Sequence, residues 1–139
     1  MFRVIYLLSM FFFLNACNSS GSNKYEEAKE NIMEKEEENP LEFLSVRHTG
    51  KRNLFGQTVV RGVIKSSATI ATYKNVRIKM LYYDETGKLV TNHEEVIEQE
   101  IGPNTEAKFK AKYFTPKGTD SVVLSIMKAI PVKNKKTEK

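Results

Sequence analysis

The sequence predicts an all-β fold, a small antiparallel β-sandwich of six or seven strands that follows an N-terminal leader and an acidic tether. Three observations carry this. From Pro40 to Pro131 the apolar residues recur mainly at alternate positions, the period of a strand with one buried face. Turn-forming clusters such as Asp84-Glu85-Thr86-Gly87 and Thr115-Pro116-Lys117-Gly118 separate the alternating runs. No helical period interrupts this stretch, and a run of strands without intervening helices points to two packed sheets. Of 139 residues 40% are apolar, which supports one small core, while a single Cys rules out a disulfide scaffold.

The strands follow in order. Leu41 and Phe43, with Leu44 and Val46, begin the first, and Gly50-Lys51-Arg52-Asn53 is expected to turn. Thr58 to Lys65 is β-branched and forms the next strand; Ser66 to Thr72 is a loop of small residues from which Ile70 could fold into the core. Tyr73 to Tyr83 is the clearest strand. Val76, Ile78, Met80 and Tyr82 point to one side, and Arg77, Lys79, Leu81 and Tyr83 to the other. Gly87 suits a positive φ in the turn that follows. Lys88 to Ile101 returns with a bulge expected near Val96-Ile97, where alternation slips. After Gly102-Pro103-Asn104-Thr105 comes a strand with Phe109, Ala111 and Tyr113 opposite Lys108, Lys110 and Lys112. Asp120 to Ile130 closes the domain around Val122, Leu124 and Ile126.

Asn75 to Val90 (NVRIKMLYYDETGKLV) resembles the FxLYD family of small immunoglobulin-like bacterial domains. Met80 stands where that family has Phe, and Tyr82 where it has Leu. Gly62 to Ser67 is similar to its Gly-x-Val-x-Asn strand without the Asn, and Ile101 to Phe109 to its Leu-x-Pro-Gly turn, with Asn104 for Gly. The likeness spans roughly residues 58 to 113. It implies an immunoglobulin-like sandwich in an envelope setting, and no catalytic residue.

The N-terminus reads as an address. Arg3 precedes an apolar run from Val4 to Leu14. Those eleven residues as a helix rise about 16 Å, half of what a membrane span needs. Residues 1–16 therefore fit a signal peptide. Leu14-Asn15-Ala16-Cys17 ends it and resembles the lipobox of bacterial lipoproteins, with Asn15 where Ala, Ser or Thr is commoner. The resemblance implies cleavage before Cys17, a covalent diacylglycerol on its thiol and an acyl chain on the new amino terminus; no other cofactor is expected. It also implies a lipid-anchored protein of the bacterial cell envelope. Asn18 in place of the Asp that holds enterobacterial lipoproteins at the inner membrane favours the outer membrane where one exists. The competing readings are an ordinary signal cut after Ala16 and a buried free thiol.

Residues 17–40 then form the tether. Asn18 to Asn23 is small and polar, and Lys24 to Asn39 holds seven Glu and three Lys. Tyr25, Ala28 and Ile32 keep helical spacing, but Glu26–Glu30, Glu30–Glu34 and Glu34–Glu38 repel at i,i+4. A frayed helix or an extended acidic linker is expected, either a spacer or an acidic segment that docks on a basic surface. The β domain occupies 41–131 and a basic tail 132–139.

Catalytic chemistry is missing from the pattern. His48 and His93 have no partner at metal-ligand spacing, and no metal site is expected. Ser121, His93 and Asp120 make a triad only on paper, because no nucleophile elbow positions the Ser. Glu94, Glu95, Glu98 and Glu100 read as a solvated strand face and not as a calcium loop. The sequence therefore predicts a protein that is not an enzyme. Charge is the remaining signal. Residues 40 to 132 hold 14 Lys or Arg and 9 Asp or Glu, a net +5. If the Tyr73 and Lys108 strands are neighbours, Arg77, Lys79, Lys108, Lys110 and Lys112 share one outer face, with Leu81 and Tyr83 beside them. That face suits an anionic partner, either another envelope protein or an anionic envelope component; nucleic acid is disfavoured in an exported protein without interleaved aromatics. The expected function is a non-catalytic binding or scaffolding module on a lipid anchor. The alternative is a lipoprotein that binds a small ligand, or an anionic glycan or lipid.

Overall fold

A computed structural model describes residues 20–52 and 56–133. Helix α1 (Ser20–Glu38) leads through a short 3-10 turn (Pro40–Phe43) into six strands. These are β1 (Leu44–Arg52), β2 (Gln57–Ser66), β3 (Tyr73–Asp84), β4 (Leu89–Ile97), β5 (Glu106–Phe114) and β6 (Thr119–Pro131). They form two three-stranded antiparallel sheets in the orders β1-β2-β5 and β4-β3-β6. The protein is a small antiparallel β-sandwich, as the alternation predicts. Pairing β2 with β5 and β3 with β6 is the arrangement of an immunoglobulin-like sandwich, in which neighbours in sequence cross between sheets.

The inner faces make the core. Val60, Ile64, Tyr73, Val76, Ile78, Met80, Tyr82 and Ile101 are fully buried. Each aliphatic side chain removed from water in this way contributes about 1.5–3 kcal/mol. Among the described residues this core cluster lies between Leu44 and Ala129.

Several details differ from the sequence reading. Leu41 and Phe43 lie in the 3-10 turn that Pro40 opens and not in β1, and β4 ends at Ile97, with Ile101 forming an isolated bridge to Tyr73. Gly50-Lys51 does not turn; β1 runs straight through it, with Gly50 opposite Val60. A Cβ at Gly50 would come within 2.6 Å of Val122 Cγ1, so glycine lets β1 pass β6 without leaving β2. The bulge falls at Val90, not at Val96-Ile97. Tyr82 pairs with Thr91 and Tyr83 with Leu89, whereas Val96 and Ile97 stay in register. Alternation is blurred at Val96 because β4 is an edge strand and buries its inner face only partly. A second irregularity, between β3 and β6, surrounds Asn75, whose φ of 50° turns the strand so that Tyr73 and Val76 both face inward. Gly87, at φ 80°, closes the β3–β4 turn as expected.

Cys17 and the lipobox residues Leu14, Asn15 and Ala16 lie outside the described residues, as does most of the basic tail. No described helix is long and apolar enough to cross a membrane.

Candidate functional site

The sheet order decides where charge accumulates. Because β3 and β5 belong to different sheets, the seven residues expected on one face are divided. Arg77, Lys79, Leu81 and Tyr83 lie on the outer face of β4-β3-β6. There Arg77 pairs with Glu94 at 3.6 Å, and Lys79 sits opposite Glu94 and Ser125. Leu81 and Tyr83 are half-buried, with Val123 and Ser121 opposite them. This face is mixed in sign and partly apolar.

Lys108, Lys110 and Lys112 lie instead on the outer face of β1-β2-β5, with cations the sequence reading left out. Alternation turns Arg47 and Lys51 of β1, and Arg61 and Lys65 of β2, to the same side. In register, Arg61 stands directly opposite Lys110, while Val63 separates Arg47 from Lys108 and Val59 separates Lys51 from Lys112. The three strands thus carry seven outward cations. Glu106 is the one acidic residue of these strands, and it binds Arg47 at 3.3 Å. Like charges placed opposite one another oppose folding, so Arg61 and Lys110 do not stabilise the sheet. At the far corner, beside Gln57, Phe114 is 73% exposed. Arg61 and Lys65 were legible as outward positions of a recognised strand. Lys51 was hidden by the turn assigned to Gly50-Asn53, and the pairing of β2 with β5 has no local signal at all.

The second feature is a buried carboxylate. The segment expected as a frayed helix or extended linker is helical through Glu38, ending before Pro40, where the helical conformation is disfavoured. Positions 23–32 are exposed, but Glu36 in the last turns is only 2% exposed. Its Oε1 accepts hydrogen bonds from the Thr69 amide at 2.6 Å and the Thr69 hydroxyl at 2.9 Å. Its Oε2 accepts from the Ile70 amide at 2.9 Å and the Ala71 amide at 2.8 Å. Tyr73, fully buried, donates its phenol to the Glu36 carbonyl at 3.0 Å. Burial would raise the Glu36 carboxyl, but the Thr69, Ala71 and Ile70 amides and the Thr69 hydroxyl outweigh it and hold it below its ordinary value. Burial, then the charges of Glu36 and Glu37, push the Tyr73 phenol up to about 12. Nothing in a run of seven Glu marks the one that is clamped.

The two His play structural parts. His48 Nε2 donates to the Val122 carbonyl at 2.9 Å, tying β1 to β6. A hollow of about 260 Å³ beside it is lined by His48, Gly50, Thr58, Asp120 and Ser121. His93, on β4, stacks on Tyr113 of β5 at 4.1 Å and meets the Tyr82 ring edge-on. Ser121 and Asp120 are on β6, the opposite edge of that sheet, so the paper triad is not assembled. Tyr113 donates its phenol to Glu95. Burial and Glu95 raise the phenols of Tyr82, to about 12, and of Tyr113, moving both away from proton transfer at neutral pH. His93 Nε2 is buried with no hydrogen-bond partner among the described residues. His93→Phe keeps the stack and removes that atom; it is expected to stabilise the domain by about 1 kcal/mol. A thermal melt checks this, and a lower Tm in the variant would show that the imidazole is satisfied in solution. No group of three or more His, Cys, Asp and Glu that could hold a metal ion occurs among the described residues.

No protein-family model matches the chain, and no curated protein matches it. Among solved structures it is similar to a DUF1425 family member from Shewanella sp. pv-4, with 18% identity, 63% of this chain and 79% of that one covered, and a TM-score of 0.47. It is also similar to the Northeast Structural Genomics Consortium target SoR45, with 11% identity, 68% and 86% covered, and a TM-score of 0.35.

Proposed function

We propose that this protein is a lipid-anchored component of the bacterial envelope whose sandwich serves as a non-catalytic binding or scaffolding module. One observation carries the reading: seven cations project from the outer face of β1-β2-β5 with a single acid among them. A fold gains nothing from opposing Arg61 and Lys110, so the arrangement suits an anionic partner. The anchor rests on the lipobox-like Leu14-Asn15-Ala16-Cys17, and the envelope setting on that and on the FxLYD-like run from Asn75 to Val90. The hollow of about 260 Å³ beside His48 and the more open one of about 560 Å³ between Glu37–Glu42 and Met127–Pro131 offer a small ligand only partial enclosure, which favours a surface-binding role over a carrier role.

Two experiments test the two halves. Cys17→Ser is expected to move the protein from the membrane to the soluble fraction; retention in the membrane would overturn the anchor. Crosslinking in native membranes is expected to trap an anionic partner on the wild type and to lose it in Arg61→Glu/Lys110→Glu. An unchanged crosslink pattern would place binding elsewhere.

A further inference from the structure

We infer that the anionic partner of the basic face is the membrane surface itself, through the phosphates of acidic phospholipids. This rests on the reading of that face as a docking surface given above, and names its occupant. The face is a three-stranded sheet, about 10 Å across its outer strands and about 30 Å along them, a shape that meets a plane. Its cations are spread over all three strands: Arg47 and Lys51, Arg61 and Lys65, and the Lys108–Lys112 row. A folded acidic partner would have to present matching carboxylates at each point, whereas a lipid surface supplies mobile anions wherever a cation lies. Each Lys or Arg near an anionic leaflet strengthens attachment by about fivefold, so such a row holds a domain firmly at modest salt.

Two further placements support the assignment. Phe114, the most exposed large apolar residue among the described residues, lies on this same face at its Gln57 corner. An aromatic ring beside Lys112 fits burial at the headgroup level, with the cations on phosphate. The last turn of the acidic helix is fixed at the other end of the sheet. Glu36 fixes α1 to the loop after Ser66, beyond the Lys65–Glu106 end of the sheet, while Gln57 and Phe114 mark the opposite end.

The test is co-sedimentation of residues 20–139, first shown by a cooperative thermal melt to fold on their own, with vesicles of phosphatidylcholine alone or mixed equally with phosphatidylglycerol. The expected result is binding to the mixed vesicles that disappears at high salt and is absent on phosphatidylcholine. Arg61→Glu/Lys110→Glu should weaken it at least tenfold, and Phe114→Ser a few-fold. Arg77→Glu/Lys79→Glu, on the other sheet, should leave it unchanged, with thermal melts showing that every variant is folded. Equal binding to both vesicles, or equal loss in the two charge-reversed variants, would overturn the assignment. So would failure to bind acidic vesicles. If the native-membrane crosslink is still lost in Arg61→Glu/Lys110→Glu, that failure leaves an acidic protein as the occupant and the docking face stands. If the crosslink also persists, the docking face falls with it.

Discussion

Glu36→Ala is expected to lower the unfolding free energy by about 3 kcal/mol, because it strands the Thr69, Ile70 and Ala71 amides that the carboxylate now satisfies. Glu36→Gln should lose nearly as much. Its amide nitrogen would face two N–H donors where a carboxylate oxygen accepts both. Urea unfolding gives the magnitude, and amide exchange at Thr69–Ala71 gives the location. An unchanged midpoint together with unchanged protection would mean that solvent serves the loop equally well. The same residue predicts a pH dependence. The folded carboxyl lies below its ordinary value of 4.5. Its contribution is therefore fully present above that value and is lost as pH falls through the depressed folded value. The difference in stability between wild type and Glu36→Ala should be flat from neutrality down to about pH 5 and shrink below it.

The second large effect is expected at Gly62. It sits on the inner face of β2, and its register partner Phe109 lays its ring across the position a side chain would occupy. A Cβ there would overlap the Phe109 ring and come within 3.1 Å of the Arg47 carbonyl oxygen. The ring can yield, but the β1 backbone cannot. Gly62→Val should therefore destabilise the domain by about 2–3 kcal/mol. Gly62→Val combined with Phe109→Ala removes one of the two obstacles and should lose less than the sum of the single changes. Additive losses would show that the ring is not the obstacle.

Much of the sandwich was readable because burial writes itself into alternation. Val76, Ile78, Met80 and Tyr82 were expected inside and all four are fully buried. Strand ends were less readable where a residue answers to a distant neighbour. Gly50 looks like a turn residue, and its role is to clear Val122, more than seventy positions away. The cationic face expected from the sequence is divided between two sheets for the same reason. The outward direction of Lys108, Lys110 and Lys112 is a local property, but their neighbours are fixed by the pairing of β2 with β5, which no single strand encodes. Glu36 was invisible because its partners are unremarkable backbone amides.

That clamp also determines how the domain responds to force. A pull on the N-terminal end of α1 does not reach β1 first. It arrives at Glu36, whose carboxylate grips three successive amides and whose carbonyl is held by the Tyr73 phenol at the head of β3. The load is shared among bonds that must break together, and it is delivered to a strand hydrogen-bonded on both sides by β4 and β6. Without the clamp, the same pull would peel β1 from the sheet edge one pair at a time. In a chain held at its N-terminus, one side chain of the tether thus makes the attachment mechanically part of the core.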